Sequence, residues 1–187
     1  MKKLLFLMCA VGMLSFAAMA QKANYSGTWN LDVPNSKLDA RQRIESMTMT
    51  VKQTDKDLSV ETATKRLPPN DAPAGPPPGG GGGMGGGRGM GMGGGDSAVT
   101  YSLDGKETKT EVEGPMGKMP ITHKASIEAD GSVKLSSSRT FNGPNGEITS
   151  TTTEIWKLSA DGKTLTVNRE ASSPRGSTTS TLVFTKK

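Results

Sequence analysis

Apolar and polar residues alternate with period two along most of the chain beyond residue 25, and the spacing of an amphipathic helix does not recur. Met47, Met49 and Val51 alternate with Thr48, Thr50 and Lys52; Leu58 and Val60 with Ser59 and Glu61; Val99, Tyr101 and Leu103 with Thr100 and Ser102. Each stretch has one apolar and one wet face, as a half-buried antiparallel strand does. Threonine supplies much of the wet face, where its β-branched side chain suits a pleated surface. Asp104-Gly105, Asp130-Gly131, Asn142-Gly143, Asn145-Gly146 and Asp161-Gly162 punctuate the alternation and tolerate the positive φ that tight hairpins need. Strands are expected near 26–32, 46–54, 57–65, 97–103, 106–113, 120–128, 132–141, 147–158, 163–170 and 177–186, eight to ten in all. With no helices available for parallel crossovers, they form an up-and-down meander. That many antiparallel strands usually lose their exposed edges by closing into a barrel. The fold class is therefore all-β, an antiparallel up-and-down meander closing into an 8–10-stranded barrel. The only stretch open to a helical reading, Ser36 to Arg43, is short and charged, and reads equally as a turn.

The turns also set registers. A two-residue turn at Asp161-Gly162 pairs Leu158 with Leu165, Trp156 with Val167 and Glu154 with Arg169, so apolar meets apolar and charge meets opposite charge. A three-residue turn over Ala129 to Gly131 sets Ile127 beside Val133, Ala125 beside Leu135 and His123 beside Ser137. If Phe141 pairs with Ile148, then Arg139, Ser150 and Thr152 share the inward face. The predicted interior is apolar at one end and holds His123, Arg139, Glu154 and Arg169 at the other. These four, with Trp29 and Trp156 in the core, are the candidate ligand-binding residues: a barrel mouth can orient a small molecule with a few polar groups. The competing reading is that the strand ends emerge into solvent and Glu154 and Arg169 form a rim ion pair of modest worth.

The chain opens with Lys2 and Lys3, the apolar run LLFLMCAVGMLSFAA, and Ala18-Met19-Ala20, the three parts of a secretory signal peptide ending near residue 20. Cleavage there leaves residues 21–187 as one barrel domain, interrupted by a low-complexity loop over 66–97. The expected location is the periplasm or the exterior, with no stable membrane span once the leader is gone. Cys9 is the only cysteine and lies inside the leader, so the mature chain has no disulfide, thiolate nucleophile or cysteine metal ligand. Loss of Lys2 and Lys3 lowers the formal net charge from +5 to +3, too little to argue for nucleic acid. His123 is the single histidine, no G-x-S-x-G elbow surrounds a serine, and no carboxylate is placed beside His123 by motif. Neither an enzyme nor a cofactor is expected; oligomeric state is left open.

Residues 75–96 read GPPPGGGGGMGGGRGMGMGGGD. Fourteen glycines between 75 and 95 make spaced G-x-G matches unavoidable and therefore uninformative. RNA-binding glycine-rich tails repeat Arg-Gly-Gly with stacking aromatics, whereas this run has one arginine, Arg88, and no aromatic. Met84, Met90, Met92, Met116 and Met119 are candidate soft ligands for Cu(I), five of the seven methionines after residue 20. That makes an envelope interaction protein the alternative function. The same methionines also read as tolerated apolar filler.

Ser26-Gly27-Thr28-Trp29-Asn30-Leu31 places G-x-W on the first strand, which resembles the calycins, the lipocalin and avidin-like barrels. SGTWNLDVPNSKL together with LSADGKTLTVNREASSPRGSTTSTLVF resembles a family of small secreted bacterial lipocalin-like proteins, largely without assigned function. The resemblance implies a barrel in which Trp29 closes one end, and a small apolar or amphipathic ligand inside it. The sequence departs from true lipocalins in the last strand, TLVFTKK, where no arginine is available to stack on the tryptophan.

Lengthening a hairpin connection from about 4 to about 30 residues costs only roughly 2 kcal/mol of closure entropy. Deleting residues 75–95 should therefore leave the far-UV circular dichroism spectrum and thermal melting of the mature protein essentially unchanged; collapse of either would place the run inside the fold.

Overall fold

The computed structural model of the chain describes residues 23–39, 42–68, 97–114, 117–143, 146–174 and 176–187. Residues 1–22 and the glycine-rich run lie outside them. Ten strands are present among the described residues: β1 (Gly27–Leu31), β2 (Ile44–Gln53), β3 (Asp57–Arg66), β4 (Ser97–Ser102), β5 (Thr108–Gly114), β6 (Gly117–Ile127), β7 (Val133–Gly143), β8 (Gly146–Leu158), β9 (Thr164–Ser173) and β10 (Gly176–Lys186). All are antiparallel to their neighbours in the order β4-β3-β2-β1-β10-β9-β8-β7-β6-β5. This is the expected meander, and β1 pairs with both β2 and β10 to join the chain's two ends. No ladder joins β4 to β5 among the described residues. Side chains bridge that seam instead: the Thr108 hydroxyl donates to the Thr100 carbonyl at 2.8 Å, and Tyr101 reaches across to β6 and β7.

The registers agree with the turn arithmetic. Leu158 pairs with Leu165, Trp156 with Val167 and Glu154 with Arg169. Ile127 faces Val133, Ala125 faces Leu135, His123 faces Ser137, and Phe141 faces Ile148. The turn at Asp161-Gly162 differs from the two-residue form expected. Gly162 N–H donates to Ser159 C=O at 2.9 Å and Ser159 N–H to Thr164 C=O at 2.8 Å, so the loop spans four residues, with Gly162 at φ 68°. Register survives because lengthening the loop symmetrically moves no pair. Asp161 organises the turn, accepting from the Ser159 hydroxyl at 2.6 Å and from Lys163 N–H at 3.0 Å. Ser102-Leu103-Asp104-Gly105-Lys106 repeats the device, with Asp104 accepting from the Ser102 hydroxyl at 2.7 Å and from Lys106 N–H at 3.0 Å.

The segment from Ser36 toward Arg43 forms no helix among its described residues. It extends the short β1 along β10 instead. Lys37 N–H donates to Thr181 C=O at 2.7 Å, Thr181 N–H returns to Lys37 C=O at 2.9 Å, and Val183 N–H donates to the Ser36 hydroxyl at 2.9 Å.

Two tryptophans dominate the core. Trp29 and Trp156 are 0% and 1% exposed, packed with Tyr25, Leu58, Leu165, Leu182 and Phe184. A large aromatic buries roughly 150–250 Å², worth about 4–6 kcal/mol at about 25 cal/mol per Å². The Trp29 indole N–H donates to Tyr25 C=O at 2.9 Å. The last strand holds no arginine, and Lys186 stands over the indole instead, with Nζ 5.2 Å from the Trp29 ring centroid. Gly27 makes room for it: a Cβ there would lie 2.7 Å from Lys186 Cε, and its φ of 138° disfavours any L side chain. Trp29→Ala should cost about 3–5 kcal/mol in urea unfolding, and Gly27→Ala about 1–3 kcal/mol; equal stability of the glycine variant would remove the strain argument.

Candidate functional site

Three inward rows stack along the barrel axis, and their composition changes with depth. The lowest runs Val133, Trp156, Val167, Leu182 across β7 to β10. Every member is 0–1% exposed. The segment ahead of β1 seals the floor from below. The Tyr25 hydroxyl lies 3.1 Å from both Gly131 C=O and Trp156 C=O, and its ring packs edge-on against Trp156 at 6.0 Å. Gln53 holds that segment in place, accepting from Tyr25 N–H at 2.8 Å and donating to Ala23 C=O at 3.0 Å.

The middle row is Leu135, Glu154, Arg169, Ser180. Glu154 Oε1 accepts from Arg169 Nε–H at 2.7 Å and Glu154 Oε2 from the Trp156 indole N–H at 2.8 Å. The two charged side chains are 17% and 13% exposed, so the pair is an interior element and the rim ion pair does not describe it. Trp156 fills the floor with its ring and locks the carboxylate above it with its N–H.

The upper row is Ser137, Thr152, Ala171, Thr178, with His123 beside Ser137. His123 Nδ1 lies 2.8 Å from the Ser137 hydroxyl and Nε2 lies 2.8 Å from the Thr110 hydroxyl. Tyr101 packs edge-on against the imidazole at 5.4 Å, and its hydroxyl lies 3.3 Å from that of Ser137. Burial, and secondarily the negative charge of Glu154, push the Tyr101 hydroxyl up to about 12, so it remains a protonated donor at neutral pH. Burial lowers the His123 pKa and favours the neutral ring. This cluster also bridges the seam, since Tyr101 of β4 touches residues of β6 and β7. Sequence reasoning identified His123 and set Ser137 opposite it, but missed Tyr101 and Thr110 as its partners. Ser137 was legible as the residue opposite His123, whereas the contact with Tyr101 crosses a gap that no turn count reaches.

Above this row the inward side chains are no longer sealed. Val60, Thr62, Val99, Met119 and Ser150 are half-buried although they point into the barrel. Arg139 sits among them, paired with Ile121 and Ser150 on neighbouring strands, and burial lowers its pKa. Of the five candidate methionine ligands, Met119 alone is described: it faces inward from β6 opposite Val112. Met84, Met90, Met92 and Met116 lie outside the described residues. No group of three His, Cys, Asp or Glu side chains converges among the described residues, and these include no helix long and apolar enough to cross a membrane.

The sign of the His123 shift gives a pH prediction. Its folded pKa lies below the ordinary 6.5, so the unfolded chain takes up the proton first and stability falls as pH drops through about 6.5. The turn carboxylates Asp104, Asp130 and Asp161 are shifted below 3.8, and their stabilising contribution is lost only at more acidic pH. Urea midpoints at pH 8 and pH 5 should therefore drop more for the native protein than for His123→Gln; parallel drops would refute a buried neutral imidazole.

No protein-family model matches the chain, and no curated protein does. Among solved structures it is similar to zebrafish ileal bile acid-binding protein complexed with cholic acid, at 15% identity, covering 87% of this chain and 98% of that one, with a TM-score of 0.45.

Proposed function

We propose that the chain is an exported, non-enzymatic barrel that holds a small amphipathic molecule in the upper half of its interior. One observation carries the reading. Inward side chains are sealed in the floor row, where Val133, Trp156, Val167 and Leu182 are 0–1% exposed, yet half-buried nearer the other end at Val60, Val99, Met119 and Ser150. In a barrel whose outer faces are already wet, partial exposure of inward residues means interior space reached by solvent. Its wall mixes apolar Val60, Val99 and Met119 with hydroxyls of Thr62, Thr110 and Ser150, the composition that suits a ligand with an apolar body and a few polar groups.

Export is supported by the leader pattern of residues 1–20, and the lipocalin-like assignment by the position of Trp29 at the closed end of the barrel. Ser137 beside His123 resembles half of a catalytic triad. However, the second imidazole nitrogen meets Thr110, so no carboxylate orients the ring as nucleophile activation requires.

The uncharged dye N-phenyl-1-naphthylamine tests the reading. Its fluorescence should rise saturably with one site per chain. Val99→Trp, which fills the upper interior, should weaken binding about tenfold or more while leaving the melting temperature close to that of the native protein. Absence of a saturable signal, or equal weakening by the outward substitution Ile155→Ser, would count against an interior site.

A further inference from the structure

We propose that the ligand enters polar head first and that the head is a planar oxyanion, a carboxylate, received end-on by the guanidinium of Arg169. The proposal rests on the ligand-binding reading above and names the chemistry of that site. Its starting point is what Arg169 does with its donors. A guanidinium carries five N–H groups in a rigid fork. Among the described residues only Nε–H has a protein partner, Glu154 Oε1 at 2.7 Å. The end-on pair of Nη groups is left over on a side chain that is 13% exposed and points into the barrel. Neither Nη is one of the buried atoms that lack a partner, so solvent meets them and a ligand can take its place; two parallel donors match the two oxygens of one carboxylate better than the single oxygen of an alcohol.

Glu154 and Trp156 are positioning residues for this fork. The Trp156 indole N–H holds Glu154 Oε2 at 2.8 Å, and Trp156 is itself immobilised in the floor at 1% exposed. The chain of contacts from indole to carboxylate to Nε fixes the plane of the guanidinium before any ligand arrives, which lowers the ordering cost of binding. The field has the right sign. In the middle and upper interior the inward charges of the described residues are two guanidiniums, Arg139 and Arg169, against the one carboxylate of Glu154, with His123 a neutral ring.

Depth then sets orientation. The row beneath Arg169 is filled by Trp156, Val167 and Leu182, all 0–1% exposed, so no tail can extend downward. The half-buried apolar wall lies above, at Val60, Val99 and Met119. A molecule using both must place its head at Arg169 and its tail toward the open end.

Displacement of N-phenyl-1-naphthylamine by decanoate and by 1-decanol, below their aggregation limits, tests this. On the native protein decanoate should displace the dye at about tenfold lower concentration than decanol, the scale of a charge-assisted hydrogen bond. Arg169→Met should abolish that preference while decanol is bound as before. Because Arg169→Met leaves Glu154 buried without its partner, the double variant Glu154→Gln/Arg169→Met is measured alongside and should show the same loss. Equal displacement by the two compounds on the native protein, or a preference that survives both variants, overturns the head-group assignment and leaves the ligand reading standing. Failure of the dye and both compounds to bind overturns the two together.

Discussion

A slip of β9 by one residue against β8 would carry Leu165 and Val167 into water and bring Thr166 and Asn168 inside. Side chains alternate across a strand with period two, so register is all or nothing for each face. Turns built around Asp161 and Gly162, and around Asp130 and Gly131, hold that register. Everything else depends on it. The floor exists because four inward positions in one row are apolar, and Glu154 meets Arg169 because the next row up is aligned by the same count.

Burying an ion pair is expensive unless its remaining hydrogen-bonding groups are met. Here the carboxylate has both oxygens engaged, by Arg169 and Trp156, whereas the guanidinium has only Nε engaged among the described residues. An exposed ion pair gains little from such arrangement, since solvent screens it. A pair sealed on its floor side is instead a fixed dipole inside the barrel. The cluster of Tyr101, Ser137, His123 and Thr110 stands in the same interior and has a second consequence. It supplies, through side chains, the closure that no backbone ladder among the described residues provides between β4 and β5. Stability of the seam and polarity of the interior are therefore carried by the same groups, and a substitution at Tyr101 or His123 acts on both.

The closed end depends on a different economy of space. Lys186 reaches Trp29 over a residue with no side chain, Gly27. Its aliphatic stem covers the edge of the floor while its ammonium remains near the indole face. The G-x-W pattern thus has a local reason: the glycine clears the path to the tryptophan two residues on, which is the same inward face of β1.

Period-two alternation and aspartate-glycine turns determined the strands, their antiparallel order and the pairs within each hairpin, because these are local quantities that a count along the chain can reach. The facing of Glu154 and Arg169 follows from one turn and was legible for that reason; so was the placement of His123 opposite Ser137. Tertiary structure alone decided how deep those residues sit. Depth depends on what fills the floor, and the filling comes from Tyr25, Trp29, Leu58 and Phe184, separated by up to the whole length of the barrel domain. It also decided that Tyr101 closes a seam against His123 and that Lys186 takes the place over Trp29. Both are contacts across strands whose relative height is set by closure of the barrel, a global constraint that no single hairpin contains.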